Sequence, residues 1–168
     1  MILLGIDPGL RFSGFGILQK EKTKVCLLDY GLLKLSPTKD LQTRVHIFYD
    51  FFSEKIENYN VSDIALETPF LGKNAQNFLK LGYLRGILYL LSSQYKTNVH
   101  EFSPRQVKLS VTGYGGASKE QVARMILRFF PKLKQPQKDD VTDALAVTLC
   151  GLWSSPLRPG RLHERYKG

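Results

Sequence analysis

Ile2 to Ile6 are apolar or small without interruption and run straight into Asp7, with Pro8 and Gly9 next. A short continuous apolar run bounded by turn residues predicts a strand buried on both faces. Asp7 then stands where a central strand ends and the chain turns. Burying an unpaired charge is costly, so an N–H group, a basic partner or a metal must compensate it. Glycines and alternation from Leu10 to Leu18 predict a hairpin into a second strand, roughly 13–20. Lys20 to Lys24 form a charged turn, and Val25 to Leu35 alternate loosely as a third strand. Three antiparallel strands thus open the chain as a meander.

Ser36, Pro37 and Thr38 break that pattern. From about Asp40 to Asn58, Leu41, Val45, Phe48, Phe51, Phe52 and Ile56 recur at helical spacing, with Thr38 or Asp40 available as N-cap. Asp63 to Glu67 form a short buried strand that again ends in a carboxylate. After a loop at 68–72, a long helix spans about Asn74 to Gln94, and Val99 to Phe102 make a fifth strand. Pro104 opens a short helix to about Val111. Gly113 to Ala117 form a loop, and Ser118 with Gln121 has capping-box spacing before a helix to Phe130. A basic, proline-bounded connection leads to a last helix from about Asp139 to Trp153. The strands and helices alternate after the meander. That predicts an α/β fold, a five-stranded mixed sheet in βββαβαβ order followed by C-terminal helices, with helices on both faces. One domain is expected over 1–155, with a basic, mobile tail over 156–168.

Composition narrows the partners. The chain has 168 residues, 43% hydrophobic and 23% charged, the balance of a soluble globular protein. Its 24 Lys+Arg against 15 Asp+Glu give a net charge of +9, which favours an anionic partner, nucleic acid before an acidic membrane surface. No stretch approaches the roughly 20 apolar residues of a membrane span, and Asp7 and Pro8 break the first apolar run too early for a signal peptide. A cytoplasmic location is expected. Cys26 and Cys150 read as small core residues of a reducing compartment, and His46, His100 and His163 are too isolated to suggest ligands.

Against the basic balance stand four acids. Asp7 and Glu67 end predicted strands, and sites in such sheets lie outside the carboxyl ends of parallel strands. Asp140 and Asp143 are i and i+3 at the start of the last helix, on one face. If that face meets the sheet, four carboxylates converge and repel one another unless a cation sits among them. Oxygen ligands without Cys or His suit Mg²⁺ or Mn²⁺. Two such ions about 3.5–4 Å apart can promote phosphodiester hydrolysis. The plainer alternatives are first-turn acids that stabilise a helix dipole and an Asp in an Asp-Pro-Gly turn. Lys108 and Lys119 are candidate phosphate contacts, the latter beside helix N–H groups. Phe70 and Tyr114 are either aromatics exposed to bases or loop packing. Gly82 and Gly86, each costing about 1 kcal/mol in a helix, suggest close approach of another backbone. That backbone is either the protein's own sheet or a twofold partner.

Six stretches together resemble the RuvC-type Holliday junction resolvases, the crossover junction endodeoxyribonucleases. They are Leu4 to Arg11; Glu67 to Phe70 with Lys73 and Asn74; Leu79 to Gly82 with Arg85 and Gly86; Pro104 to Lys108; Val111 to Gly115 with Ala117 to Val122; and Asp140 to Ala146. The resemblance implies a ribonuclease H-like fold, a homodimer and Mg²⁺-dependent paired nicking of four-way DNA junctions in recombination and repair. A RuvA–RuvB branch-migration partner is implied as well. It makes Asp7, Glu67, Asp140 and Asp143 the catalytic metal-binding acids. Lys108 and Lys119 become residues that hold or activate the scissile phosphate, and Phe70 an aromatic stacked at the junction centre. Lys73, Asn74, Arg105 and Tyr114 are expected as further DNA contacts, and Gly82 and Gly86 as interface positions. Ser13 stands where Thr is common in the family, Phe102 where Tyr is common, and Tyr83-Leu84 where Gln-Ala is usual. Two other readings compete: an actin- or sugar-kinase-like ATPase module, suggested by Gly5 to Gly9, and a junction-binding protein without catalysis. A nucleotide cleft of the first kind needs two such domains, and the second has no need of four acids.

Overall fold

Strands and helices follow in the order the hydrophobic pattern predicts. The structure, a computed structural model, describes residues 1–69, 75–131, 133 and 139–154. The tail expected over 156–168 therefore lies outside the described residues. The strands are β1 (Ile2–Asp7), β2 (Phe12–Glu21), β3 (Lys24–Lys34), β4 (Asp63–Glu67) and β5 (Asn98–Phe102). The helices are α1 (Leu41–Tyr59), α2 (Ala75–Tyr95), α3 (Pro104–Thr112), α4 (Lys119–Phe129) and α5 (Asp139–Ser154). Their ends are chemically marked. Asp40 accepts from the Thr43 N–H at 2.7 Å as the cap of α1. Ser103 with Gln106 and Ser118 with Gln121 form capping boxes at α3 and α4, which satisfy N–H groups the first turn leaves free.

The sheet order is β3-β2-β1-β4-β5. β1, β2 and β3 pair antiparallel, whereas β4 runs parallel to β1, and β5 parallel to β4. The β1–β4 register runs from Leu3 opposite Asp63 to Ile6 opposite Leu66, so the next residues, Asp7 and Glu67, end neighbouring strands side by side. Alternation then decides which way they face. Leu4, Ile6, Ile64 and Leu66 pack with Phe48, Phe52 and Ile56 of α1 and Leu84, Leu88 and Leu91 of α2. Leu3 and Ala65 face the other way, into a core built with α3, α4 and α5. Asp7 and Glu67 share the parity of Leu3 and Ala65, and so belong to the face of α5.

Helix α5 is buried from Val141 to Leu152, which explains an apolar composition on all its sides: the sheet lies beneath it and α3 and α4 beside it. It reaches the sheet because β1 and β2 carry glycine where it crosses. A Cβ on Gly14 would overlap the carbonyl of Asp140, and one on Gly5 the side chain of Thr148. On the opposite face, Phe15 meets Phe51 and Phe52 edge to face, and Phe48 lies 4.6 Å from Phe52 between centroids. Each such ring contributes roughly 1.5–3 kcal/mol by burial.

Two expectations need correction. Cys26 is exposed, not a core residue, because β3 is an edge strand and Cys26 lies on its outer parity while Val25 and Leu27 pack inward. Cys150 is buried as expected. Gly82 and Gly86 do not pack on the sheet either: a Cβ on either would meet nothing within 4 Å. Their face of α2 is turned away from the core that holds Leu84, Leu88 and Leu91. Among the described residues no helix is long and apolar enough to cross a membrane.

Gly14→Ala is expected to destabilise the protein by about 1–3 kcal/mol, the usual cost of overpacking against backbone that cannot yield. A lowered urea midpoint with an unchanged slope would show it, and wild-type stability would refute the close approach of α5.

Candidate active site

Asp7 and Glu67 are held at strand ends by different devices. Beyond Asp7 the Pro8-Gly9 turn is tied to Ser13, a fully buried residue of β2. The Gly9 N–H donates to Ser13 Oγ at 3.0 Å, and that hydroxyl donates to the Gly9 carbonyl at 2.9 Å. Arg44 donates to the carbonyl of Leu10, which pins the same turn to α1. At Glu67 the chain is held from both sides. The Thr68 N–H donates to the Phe102 carbonyl at 2.8 Å, and Arg85 Nη1 donates to the Glu67 carbonyl at 2.8 Å.

The first turns of α5 and α4 complete the site. Gly14 lets the Asp140 backbone lie against β2, and one turn on, Asp143 faces the strand ends. Lys119, the first residue of α4, donates from Nζ to Asp143 Oδ2 at 3.0 Å. Asp7, Glu67, Asp143, Lys108 and Lys119 line one cleft of about 280 Å³. Asp140 is half-buried beside it, and its charge acts on Asp7.

The electrostatics record this crowding. The Asp7 carboxyl is pushed up to about 7, first by burial and then by repulsion from Asp143, Asp140 and Glu67, with Lys119 opposing. Burial and Asp143 also raise Glu67, while Lys119 and Lys108 pull it down. Lys119 is raised, chiefly by its hydrogen bond to and attraction by Asp143. The lysine is nonetheless largely exposed, so its pairing is screened by solvent.

This donor set of carboxylate oxygens suits a hard divalent cation. The raised Asp7 value reflects burial first and then repulsion, and a cation would relieve the repulsion. Among the described residues no three acidic, His or Cys side chains are already grouped to hold an ion. Asp143 is engaged by Lys119, so a basic partner compensates one of the acids. The set fits a divalent ion in its chemistry, and an ion held by Asp143 would take the place of Lys119 there.

The remaining expected contacts are spread around the cleft. Lys108 lines it from α3. Arg105 and Tyr114 are exposed outside its wall, the tyrosine at 65%. Phe70, Lys73 and Asn74 lie outside the described residues. The contacts of two residues of the site escape sequence reasoning, which marks Ser13 only as standing where Thr is common and Arg85 only as part of a family-resembling stretch. A clue to Arg85 is present: it sits among Leu84, Ile87 and Leu88 on the apolar stripe of α2, where an arginine is buried only if paired. His46 and His100 pair with Asp50 and Asp63, away from the cleft.

Fold and cleft together define a ribonuclease H-like α/β protein with a carboxylate-lined site. A sequence model described as Crossover junction endodeoxyribonuclease RuvC matches residues 3–151, and the chain belongs to that RuvC family. A crossover junction endodeoxyribonuclease RuvC of Pelodictyon phaeoclathratiforme is 41% identical over 152 residues, covering 90% of this chain and 80% of the relative. One from Legionella pneumophila is 35% identical over 149 residues, covering 89% and 85%. Among solved structures, Thermus thermophilus RuvC in complex with a Holliday junction substrate is similar with a TM-score of 0.83. It is 28% identical, over 89% of this chain and 92% of that one. Membership of this family sets the ATPase alternative aside.

The raised Asp7 carboxyl has a consequence for stability without metal. Its folded value of about 7 lies above the ordinary 3.8, so the folded state binds the proton more tightly. The associated stability is fully present below pH 3.8 and is lost as pH rises through about 7. In chelator, Asp7→Asn is therefore expected to match wild type near pH 4 and to be more stable by up to a few kcal/mol at pH 8, since each tenfold difference in proton affinity is worth about 1.4 kcal/mol. Urea denaturation of both proteins across that range checks it, and parallel curves would refute the crowding of Asp7.

Proposed function

We propose that this chain is a Holliday junction resolvase: a structure-selective endonuclease that nicks four-way DNA junctions in symmetric pairs during homologous recombination and repair. One observation carries the reading. In a member of the RuvC family, acids from β1, β4 and α5 meet two lysines in a single cleft on a chain of net charge +9. An acid cluster alone repels DNA. Flanked by Lys108 and Lys119 on a basic protein, it suits a phosphodiester held at a metal site.

Asp7, Glu67, Asp140 and Asp143 are the residues that would hold Mg²⁺, roughly two ions per site, with Mn²⁺ able to substitute. Such ions supply an activated water and stabilisation of the departing 3′ oxygen. The protein's own part is placement and charge. Strand ends and the first turns of α5 fix the carboxylates on one side of the scissile phosphate. Lys119, once free of Asp143, neutralises charge on the phosphate, and Lys108 approaches it from α3. Arg105 and Tyr114 extend the DNA surface outward, and Phe70, Lys73 and Asn74, next after Glu67 in the sequence, are further DNA contacts by the family resemblance, Phe70 by stacking at the junction centre.

Paired cutting needs two sites related by a twofold axis. Leu79, Gly82, Tyr83, Gly86 and Leu90 share one exposed face of α2, with Leu79 64% and Tyr83 53% exposed. Open glycines flanked by apolar side chains suit the same helix of a second copy. The family resemblance adds a RuvA–RuvB complex as partner and a cytoplasmic setting.

Asp7→Asn, Glu67→Gln, Asp140→Asn and Asp143→Asn are each expected to lower junction cutting by at least ~10²-fold, the scale of losing a charge-stabilising group in a site. Binding of a labelled synthetic junction should persist. Full cutting by Asp7→Asn would sink the metal assignment, and wild-type binding without any cutting in Mg²⁺ or Mn²⁺ would favour the non-catalytic junction binder. Sedimentation at micromolar concentration should give a mass near twice 19.1 kDa, and Gly86→Arg should return it to one chain.

A further inference from the structure

Arg85, 8% exposed in the middle of α2, lines the acidic cleft on the side of Glu67. Its guanidinium joins three elements. Nη1 donates to the Glu67 carbonyl at 2.8 Å, Nη2 pairs with Glu101 on β5, and Tyr89 donates to the same Glu101 oxygen at 2.6 Å. Glu67 needs such a donor. The β1–β4 pairing stops at Ile6 and Leu66, and Pro8, just beyond Asp7, has no N–H with which to continue the ladder. The proline that turns the chain after one acid thus leaves the strand end carrying the other acid short of a hydrogen bond. An unsatisfied buried carbonyl is costly, and a charged donor meets it with a stronger bond than a neutral one.

We propose that Arg85 is a positioning residue for the reaction. It replaces the missing ladder donor at the end of β4, and so fixes the backbone from which the Glu67 carboxylate enters the cleft. Glu101 and Tyr89 hold the guanidinium in place. The guanidinium reaches Glu67 through its carbonyl, leaving both carboxylate oxygens free for a cation. Its planar fork holds two acceptors in a fixed geometry, where lysine offers a compact charge on a flexible stem. The inference rests on Glu67 being a metal-holding acid.

The test compares wild type with Arg85→Gln, Arg85→Lys and Glu101→Gln in the full chain. Mn²⁺ binding without DNA, read by electron paramagnetic resonance, is expected to weaken about 10-fold or more in Arg85→Gln, as outer-shell partners of metal ligands typically do. The kcat for junction nicking should fall by a similar factor, with KM for the junction within about twofold. Amide exchange at Leu66 and Thr68 should accelerate. Arg85→Lys, which restores one donor, should recover part of the Mn²⁺ affinity. Glu101→Gln changes a residue on the surface and keeps the fold, so it serves if Arg85→Gln does not fold; it should weaken Mn²⁺ binding several-fold. Unchanged Mn²⁺ affinity and kcat in a folded Arg85→Gln, or in Glu101→Gln if the former does not fold, would overturn the proposal. A KM effect without a kcat effect would overturn it as well. Loss of Mn²⁺ binding and nicking in wild type itself would instead overturn the functional reading, and the exchange rates at Leu66 and Thr68 would then judge the clamp alone.

Discussion

Helix α5 lies directly on β1 and β2 because Gly5, Gly14 and Gly16 present no side chain toward it. Much else depends on that contact. It closes the core that α3 and α4 complete, and it brings the first turn of α5 down to the strand ends. Helices usually pack 8–10 Å apart through side chains on both surfaces. Here backbone meets backbone, and the short side chains of Asp140 and Asp143 can work beside Asp7. With a layer of leucine in between, the same acids would stand a side chain's length from the sheet.

Gathering acids opposes folding, and the molecule offsets this elsewhere. The large apolar residues of the α1–α2 face, Phe15, Phe48 and Phe52 among them, are remote from the site and free of its charge. Near the site, compensation is partial and movable. Lys119 and Lys108 favour the charged form of Glu67, yet Lys119 remains largely exposed on a long flexible stem. A site whose charge is balanced by a mobile lysine can exchange that lysine for another cation or offer it to an anion. The buried Arg85 has no such freedom, being tied at both ends of its fork.

Element order is legible in the sequence because period-2 and period-3.6 patterns are separated by strong breaks: Pro8-Gly9, Ser36-Pro37 and the capping boxes at Ser103 and Ser118. The convergence of acids is legible in outline, since strand-end carboxylates and a first-turn pair constrain where a site can lie. Partnership is not. That Asp143 engages Lys119 and that Arg85 supports Glu67 are each set by contacts between elements, which no local period encodes. The exposure of Cys26 escapes the sequence for the same reason. Apolar neighbours along the chain say little once β3 is an edge strand, where every second residue faces outward.

The shared parity of Asp7 and Glu67 bears on how such a chain can change over generations. A strand turns each successive side chain to the opposite face. Loss or gain of one residue within β1 or β4 would therefore carry its acid to the phenylalanine-rich side of the sheet, away from Lys108, Lys119 and the cleft they line. β3 is under no such constraint: its pairing with β2 already shifts register between Ile17 and Leu18, and it bears none of the acids. Length variation in descendants of this gene should accumulate in β3 and be purged from β1 and β4, even where every catalytic side chain is retained.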